Sequence, residues 1–130
     1  MNWETITKEA EKERAWSSLT ILDSDAKVLM NTVPLDEESI GNSKNLLETI
    51  YKSRDDAVRS GIRWNKVHYD VYQWSENRLV FGRVPDRVDC DGCAILKHKD
   101  KFYIITYKYP ITTPLAVHTL EKFIDTNIDK

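Results

Sequence analysis

Hydrophobic positions at the two ends of the chain recur with the spacing of an α-helix. Apolar residues within residues 2–14 form a narrow stripe and predict a helix that docks on the rest of the protein. Thr113 and Pro114 open a final helix, because proline is favoured in the first turn and an apolar stripe follows it. A further helix is predicted to begin after Asp36, an N-cap residue type, and to end near Lys52.

Between these helices, the apolar residues occur in short extended runs separated by turn residues. Residues 17–23 and 27–32 flank an Asp-Ser-Asp turn and predict a hairpin. The polar residues 53–60 have room for one short helical turn. Four more extended runs follow, at residues 62–74, 78–84, 93–98 and 102–107. Because the connections between consecutive runs are shorter than the dozen or more residues that a parallel crossover needs, we expect antiparallel neighbours. The pattern predicts one α+β domain, 1–130, with the terminal helices packed together on one face of an antiparallel sheet.

Composition and charge exclude several classes of protein. Nineteen Lys and Arg against 21 Asp and Glu give a net charge of -2, so the chain lacks the basic excess that binding to nucleic acid uses. No apolar run is long enough for a membrane span, and the N-terminus has no apolar core of a signal peptide. Two cysteines are too few for a disulfide framework. We therefore expect a cytoplasmic protein with free thiols.

Candidate catalytic chemistry is sparse. The four glycines never cluster into a phosphate-binding loop, and the three histidines are far apart in the sequence. Cys90 and Cys93 have CxxC spacing with His98 nearby, but a strand follows where a redox site has a helix, and structural zinc requires four ligands. Two thiols beside a turn are the simpler interpretation. We expect no enzymatic activity, no metal and no cofactor.

One strand carries the strongest sign of a binding surface. Side chains alternate across a strand, so the run 67–74 divides into two sets. Val67, Tyr69 and Val71 form one set, and the other consists of His68, Asp70, Tyr72 and Trp74. Mixed charges and amphipathic aromatics are typical of protein interfaces. A solvated sheet face remains the alternative.

A group of basic residues lies at strand ends and turns farther along the chain. Acidic phospholipid headgroups, such as those of phosphoinositides, would attract them. Acidic residues are interleaved with them, so a solvated rim of mixed charge is the alternative. The candidates are Arg83, Arg87, Lys97 and Lys99.

The order of elements and several local segments resemble the profilins, small proteins that bind actin monomers. The likeness covers nearly the whole chain and rests on collinear order rather than on one decisive motif. The divergence predicts an outlying branch of the family, such as its archaeal relatives. The resembling segments are Met1-Asn2-Trp3, the hairpin residues 21–28, the strand pair at 61–72, residues 92–105 and the Pro-Ile-Thr-Thr-Pro stretch at 110–114.

The resemblance implies a monomeric, non-catalytic, cytoskeletal protein whose short helices lie on the face of the sheet opposite the terminal helices. It would bind monomeric actin or an actin-like protein and regulate polymerisation, by sequestering subunits or delivering them to filament ends. His68 replaces a residue that is commonly basic in the family, and Asp70 adds an acid, so the affinity and the preferred actin do not carry over. The positions that carry over are Val58, Arg59, His68, Asp70, Tyr72, Gln73, Phe81, Arg83, His118 and Lys122.

The resemblance also implies a second site, an aromatic groove between the terminal helices that binds proline-rich segments. Trp3 is retained, but Ile6 and Leu29 are aliphatic where profilins have aromatic rings. Asn127 stands where many profilins have His or Tyr. Polyproline docks on flat aromatic faces, so we do not expect strong binding of proline-rich ligands.

A scaffold of the longin or roadblock type, which recruits small GTPases or trafficking complexes, is the rival interpretation at the level of the fold. Such a scaffold would place a long central helix on one face of the sheet. It would also leave a strand edge exposed for dimerisation. The position of the helices and the oligomeric state distinguish the two hypotheses.

Overall fold

The helices begin at residues whose side chains satisfy the first free backbone N–H groups. In the computed structural model, which describes residues 2–76, 78–85, 91–108 and 110–129, Asn2 caps the first helix by accepting from the N–H of Thr5. Asp36 caps the second helix through the N–H of Ser39, as predicted, and that bonding to Ser39 lowers the pKa of Asp36. The elements in chain order are α1 (Trp3–Glu11), β1 (Ser18–Leu22), β2 (Val28–Asn31), α2 (Glu37–Lys52), α3 (Arg54–Ser60), β3 (Ile62–Trp64), β4 (Val67–Trp74), β5 (Leu79–Arg83), β6 (Gly92–His98), β7 (Lys101–Tyr107) and α4 (Thr113–Asn127).

The strands form a seven-stranded antiparallel sheet in the order β2-β1-β7-β6-β5-β4-β3. The extended run 62–74 is two strands rather than one. Asn65 and Lys66 both have positive φ, at 48° and 71°, and this turn folds β3 back on β4. The strand pair that the resemblance implies at this point is confirmed.

Helices cover both faces of the sheet, and each face has its own core. On one face, Ile6 of α1 and Leu120 of α4 pack with strand residues such as Ile105. On the other, Ile50 of α2 and Ala57 of α3 belong to the second core. The predicted α+β class and the placement of the terminal and internal helices are therefore confirmed. The scaffold alternative places one long central helix on one face of the sheet, whereas here helices pack on both faces.

Within the described residues, no helix combines the length and the apolar composition needed to cross a lipid bilayer.

Candidate functional site

One part of the sheet face that carries α1 and α4 lies beyond these helices. α1 packs over β2, and α4 packs over β6 and β7, so β5 and β4 extend past them. Phe81 of β5 is half-buried against the edge of the α1/α4 core, whereas Tyr72 of β4 is 62% exposed. We call this surface the β4–β5 face and define it by His68, Asp70, Tyr72, Gln73, Phe81 and Arg83.

A β-bulge in β4 determines which side chains belong to this face. Asp70 is opposite Arg83 of β5, but the register shifts farther on, and Gln73 is opposite Phe81. Tyr72 is the extra residue on the bulged strand. The bulge therefore brings Gln73 to the same face as Asp70, although simple alternation would turn it to the opposite side.

Trp74 lies on the other face of the sheet, so the prediction that it points outward with His68 and Tyr72 is wrong. Its ring is half-buried against the α2/α3 core, and its indole N–H donates to the carbonyl oxygen of Ile50 at 2.7 Å. The bulge is the physical reason, because one additional residue reverses the alternation of every side chain after it.

Gly82 is the sequence signal that marks this bulge. It lies within β5 opposite Val71, and a Cβ at this position would collide with the carbonyl oxygen of Asp70. An isolated glycine inside a strand often indicates a bulge or a close approach of two backbones. Gly82 thus indicates the bulge from the sequence, whereas side-chain alternation along β4 does not.

Polar and charged side chains lie next to one another on this face. Nε2 of His68 lies 3.3 Å from Oδ1 of Asp70, and Asp70 is opposite Arg83 in the ladder. The guanidinium carbon of Arg83 lies 5.4 Å from the centroid of the Tyr72 ring, within the range of a cation–π contact. Exposed pairs of this kind contribute little to stability, because water screens them. They remain accessible to another protein.

His68 is held against the end of α3. Gly61, which follows α3, has a φ of +68°, and a Cβ there would lie 2.7 Å from the His68 ring. This position therefore requires glycine for both its backbone angle and its packing. Val58, 48% exposed, and Arg59, also exposed, lie on α3, which packs beside β4. Both predicted α3 residues therefore lie on a helix adjoining the face.

His118 and Lys122 lie apart from these residues. Both are exposed on α4, and both line a groove between α1 and α4. Glu9 of α1 and Glu13, which follows α1, form the other side of this groove. The structure thus places the two predicted α4 residues toward α1 rather than among the side chains of β4 and β5.

Three of the four positions predicted for proline-rich ligands pack against the protein interior, and the fourth, Asn127, lines the groove between α1 and α4. Ile6 is only 6% exposed, and Trp3 and Leu29 are half-buried against the α1/α4 core. The side-chain amide of Asn127 donates to the carbonyl oxygen of Phe123 within α4. The groove lacks the broad aromatic surface that a polyproline helix contacts.

Of the basic residues proposed for acidic lipids, the three that the structure describes do not form one cluster. Arg83 is on the β4–β5 face, whereas Lys97 is on the opposite face, with its ammonium 5.8 Å from the centroid of the Phe102 ring. Lys99 pairs with Asp129 at 3.4 Å. Arg87 lies outside the described residues. The three described residues therefore offer no common binding surface.

Cys93 is completely buried in the α2/α3 core, and burial raises the pKa of its thiol. A buried neutral thiol is a poor nucleophile and a poor metal ligand. Cys90 lies outside the described residues. Across the described part of the chain, no three His, Cys, Asp or Glu side chains are arranged to hold a metal ion.

No protein-family model and no curated protein matches the sequence. Solved structures do match the fold over nearly the full length. Profilin II of Acanthamoeba castellanii has 17% identity and a TM-score of 0.75, with 98% of both chains covered. Mouse profilin IIa, in complex with a double repeat from the FH1 domain of mDia1, has 14% identity and a TM-score of 0.73, with 99% of both chains covered.

LokiProfilin1 in complex with rabbit actin matches with 13% identity and a TM-score of 0.69, covering 99% of this chain and 97% of that one. At these identities the likeness concerns the three-dimensional arrangement of the backbone. The chain therefore has the profilin fold.

Proposed function

We propose that this protein binds monomeric actin or an actin-like protein through the β4–β5 face and thereby regulates polymerisation. The observation that carries the proposal is the exposed row of His68, Asp70, Tyr72 and Arg83 on a sheet of the profilin fold. One matching structure, LokiProfilin1, was solved with rabbit actin.

The composition of the face supports a protein partner. Tyrosine and arginine are the residue types most enriched among side chains that dominate binding energy. Here Tyr72 and Arg83 are in contact and surrounded by residues of mixed charge. In a complex, loss of water around this pair would strengthen its electrostatic contacts. Val58 and Arg59 on α3 extend the proposed interface, with His118 and Lys122 of α4 as its most distant members.

The proposed mechanism is steric and requires no bond-making. A monomer covered at one end cannot join a new nucleus through that end, so spontaneous nucleation slows. The same complex can add to an existing filament through its free end. The protein would act in the cytoplasm, on the cytoskeleton, as a monomer without enzymatic activity or cofactor. Proline-rich ligands and acidic phospholipids are weaker candidates, given the buried Ile6 and the separated Arg83 and Lys97.

The test combines binding to labelled monomeric actin with a pyrene-actin nucleation assay on the full chain. The wild type should bind monomers and slow nucleation at molar excess. Tyr72→Ala should weaken binding about tenfold or more, as expected for an interface aromatic, while leaving the unfolding temperature almost unchanged. Lys122→Ala should weaken binding less, because it removes a charge at the rim.

Ile40→Ala is the matched control, because Ile40 is an exposed apolar residue on α2, across the sheet from the β4–β5 face. It should bind like the wild type. Equal affinity of the Tyr72→Ala and Ile40→Ala variants would reject the assignment of the face. No detectable binding of the wild type to any candidate actin or actin-like protein, with no slowing of nucleation, would reject the function itself.

A further inference from the structure

A cavity of about 310 Å³ opens at one end of the sheet, on the side of the α2/α3 core. The β3–β4 hairpin forms one wall through Trp64 and Val67, and the start of β1 and the end of β7 form the opposite wall. This volume is at the lower end of the range for sites that bind small molecules. The cavity is separate from the β4–β5 face, which is on the other side of β4.

Tyr69 lies in the wall of this cavity and contributes a hydroxyl group to it. The residue is 3% exposed, and no group of the described residues forms a hydrogen bond with its side chain. Burial, with a smaller contribution from Asp91 among other groups, raises the pKa of the hydroxyl, so it remains a neutral donor. Thr20, not Tyr69, holds the buried unpartnered hydroxyl of the described residues, so the Tyr69 hydroxyl is accessible and can donate to a molecule in the cavity.

Two opposite charges lie at the same cavity. Asp91 and Lys108 directly adjoin the last ladder pair, Gly92 and Tyr107, and both line the cavity. Neither side chain forms an ion pair within the described part of the chain. A separated carboxylate and ammonium can bind the two ends of one molecule.

Hydroxyl groups continue from the cavity into the interior along β1. Ser18 and Thr106, which are paired across the strands, line the cavity and hydrogen-bond to each other. Two residues farther along β1, Thr20 is fully buried, and among the described residues its hydroxyl has no partner. The cavity thus has a polar floor as well as an apolar wall.

We propose that this cavity binds a small zwitterion with an apolar portion, of the chemical class of free aliphatic amino acids. Lys108 binds the carboxylate, and the Tyr69 hydroxyl donates a hydrogen bond to it. Asp91 binds the ammonium group. The apolar portion packs against Trp64 and Val67. This inference does not depend on actin binding, because it uses different residues on the other side of β4.

The test measures thermal unfolding of the full chain with L-leucine and with two analogues that each keep one charge. Leucinamide keeps the cation, and N-acetyl-leucine keeps the anion. L-leucine should raise the unfolding temperature with a saturable dependence on concentration, because a ligand that binds only the folded state stabilises it. The analogues should bind at least about tenfold more weakly, since each lacks one charged contact. Absence of a shift with L-leucine, or equal shifts with all three compounds, would overturn the proposal.

Two variants locate the site. Lys108→Gln and Asp91→Asn should each weaken the response to L-leucine about tenfold, because each removes one charge-assisted hydrogen bond. Lys44→Gln, on the exposed surface of α2, is the matched control and should respond like the wild type. If the two cavity variants also respond like the wild type, the compound binds elsewhere and the proposed site is wrong.

Discussion

The β4–β5 face and the α1/α4 region are the two places where resemblance to profilins implies a binding surface. They differ in how far their side chains are exposed to solvent. On β4, His68, Asp70 and Tyr72 remain exposed beyond the edge of the helical layer. In the α1/α4 region, Ile6 is buried and Trp3 is half-buried. The same likeness therefore leads to an accessible surface in one region and to core packing in the other.

Side-chain chemistry explains this difference. Burying a polar or charged group without full compensation is costly, so the His68 imidazole and the Asp70 carboxylate remain in water. Burying an isoleucine side chain contributes about 1.5–3 kcal/mol, so Ile6 packs inward when α1 docks. Two proteins of the same fold have similar backbone positions. The residue type at each position determines whether its side chain is exposed for binding or buried in the core.

The largest expected effect concerns Ile6. Ile6→Ala should lower the free energy of unfolding by about 2–4 kcal/mol, because it leaves a cavity between α1 and the sheet. Urea unfolding measures this loss. Leu115→Ala, at a half-exposed position on α4, is the control and should change stability by about 0.5 kcal/mol or less. A similarly small effect at Ile6 would mean that its side chain is available as a binding surface after all.

A substitution at Trp74 tests whether the bulge in β4 turns this side chain toward the α2/α3 core. Trp74→Phe should cost about 1 kcal/mol in unfolding free energy, because the carbonyl oxygen of Ile50 loses its indole donor. Trp3→Phe is the matched control, since Trp3 is also half-buried but makes no side-chain hydrogen bond among the described residues. Equal losses for the two variants would contradict the inward orientation of Trp74.

The smallest effect concerns Asp129, where α4 has just ended. A hydrogen bond with His98 at 2.6 Å, together with nearby Lys99, lowers the pKa of Asp129 from its ordinary value of 3.8. The carboxylate therefore stabilises the fold at pH values above about 4, and this contribution disappears as the pH falls through the lowered pKa.

Asp129→Asn should accordingly be less stable than the wild type at pH 6, and the difference should shrink toward pH 2. Urea unfolding at the two pH values measures it. Asp125→Asn, at an exposed position on α4, is the control and should show no such dependence on pH. A stability difference for Asp129→Asn that is the same at both pH values would show that the pairing with His98 has no stabilising effect.

Much of the fold was predictable because local signals agreed. The Asp36 cap, Pro114 in the first turn of α4 and the short turns between strands each predicted their element correctly. The run 62–74 was harder, because strand pattern alone does not show where a chain reverses without glycine. Asn65 and Lys66 make that turn with positive φ, a conformation that few non-glycine residues adopt.

The candidate site was predictable up to the bulge. Alternation placed His68, Asp70 and Tyr72 correctly on one side, and it failed at Trp74 because the additional residue reverses the pattern. The predicted site residues on α4 could not be placed from the sequence for a different reason. Helical spacing shows that Lys122 is exposed, but only the packing of α4 on the sheet decides that it faces α1 rather than β4.

The sequence by itself determined most of the elements, their order and the outward chemistry of β4 as far as the bulge, because these depend on neighbouring residues along the chain. Tertiary structure decided which surfaces are shared between distant segments. The separation of Arg83 from Lys97, the burial of Ile6 and the meeting of Asp91, Lys108 and Tyr69 at one cavity all depend on strand register and helix docking. Contacts between segments far apart in the sequence determine these features, so local sequence patterns do not predict them.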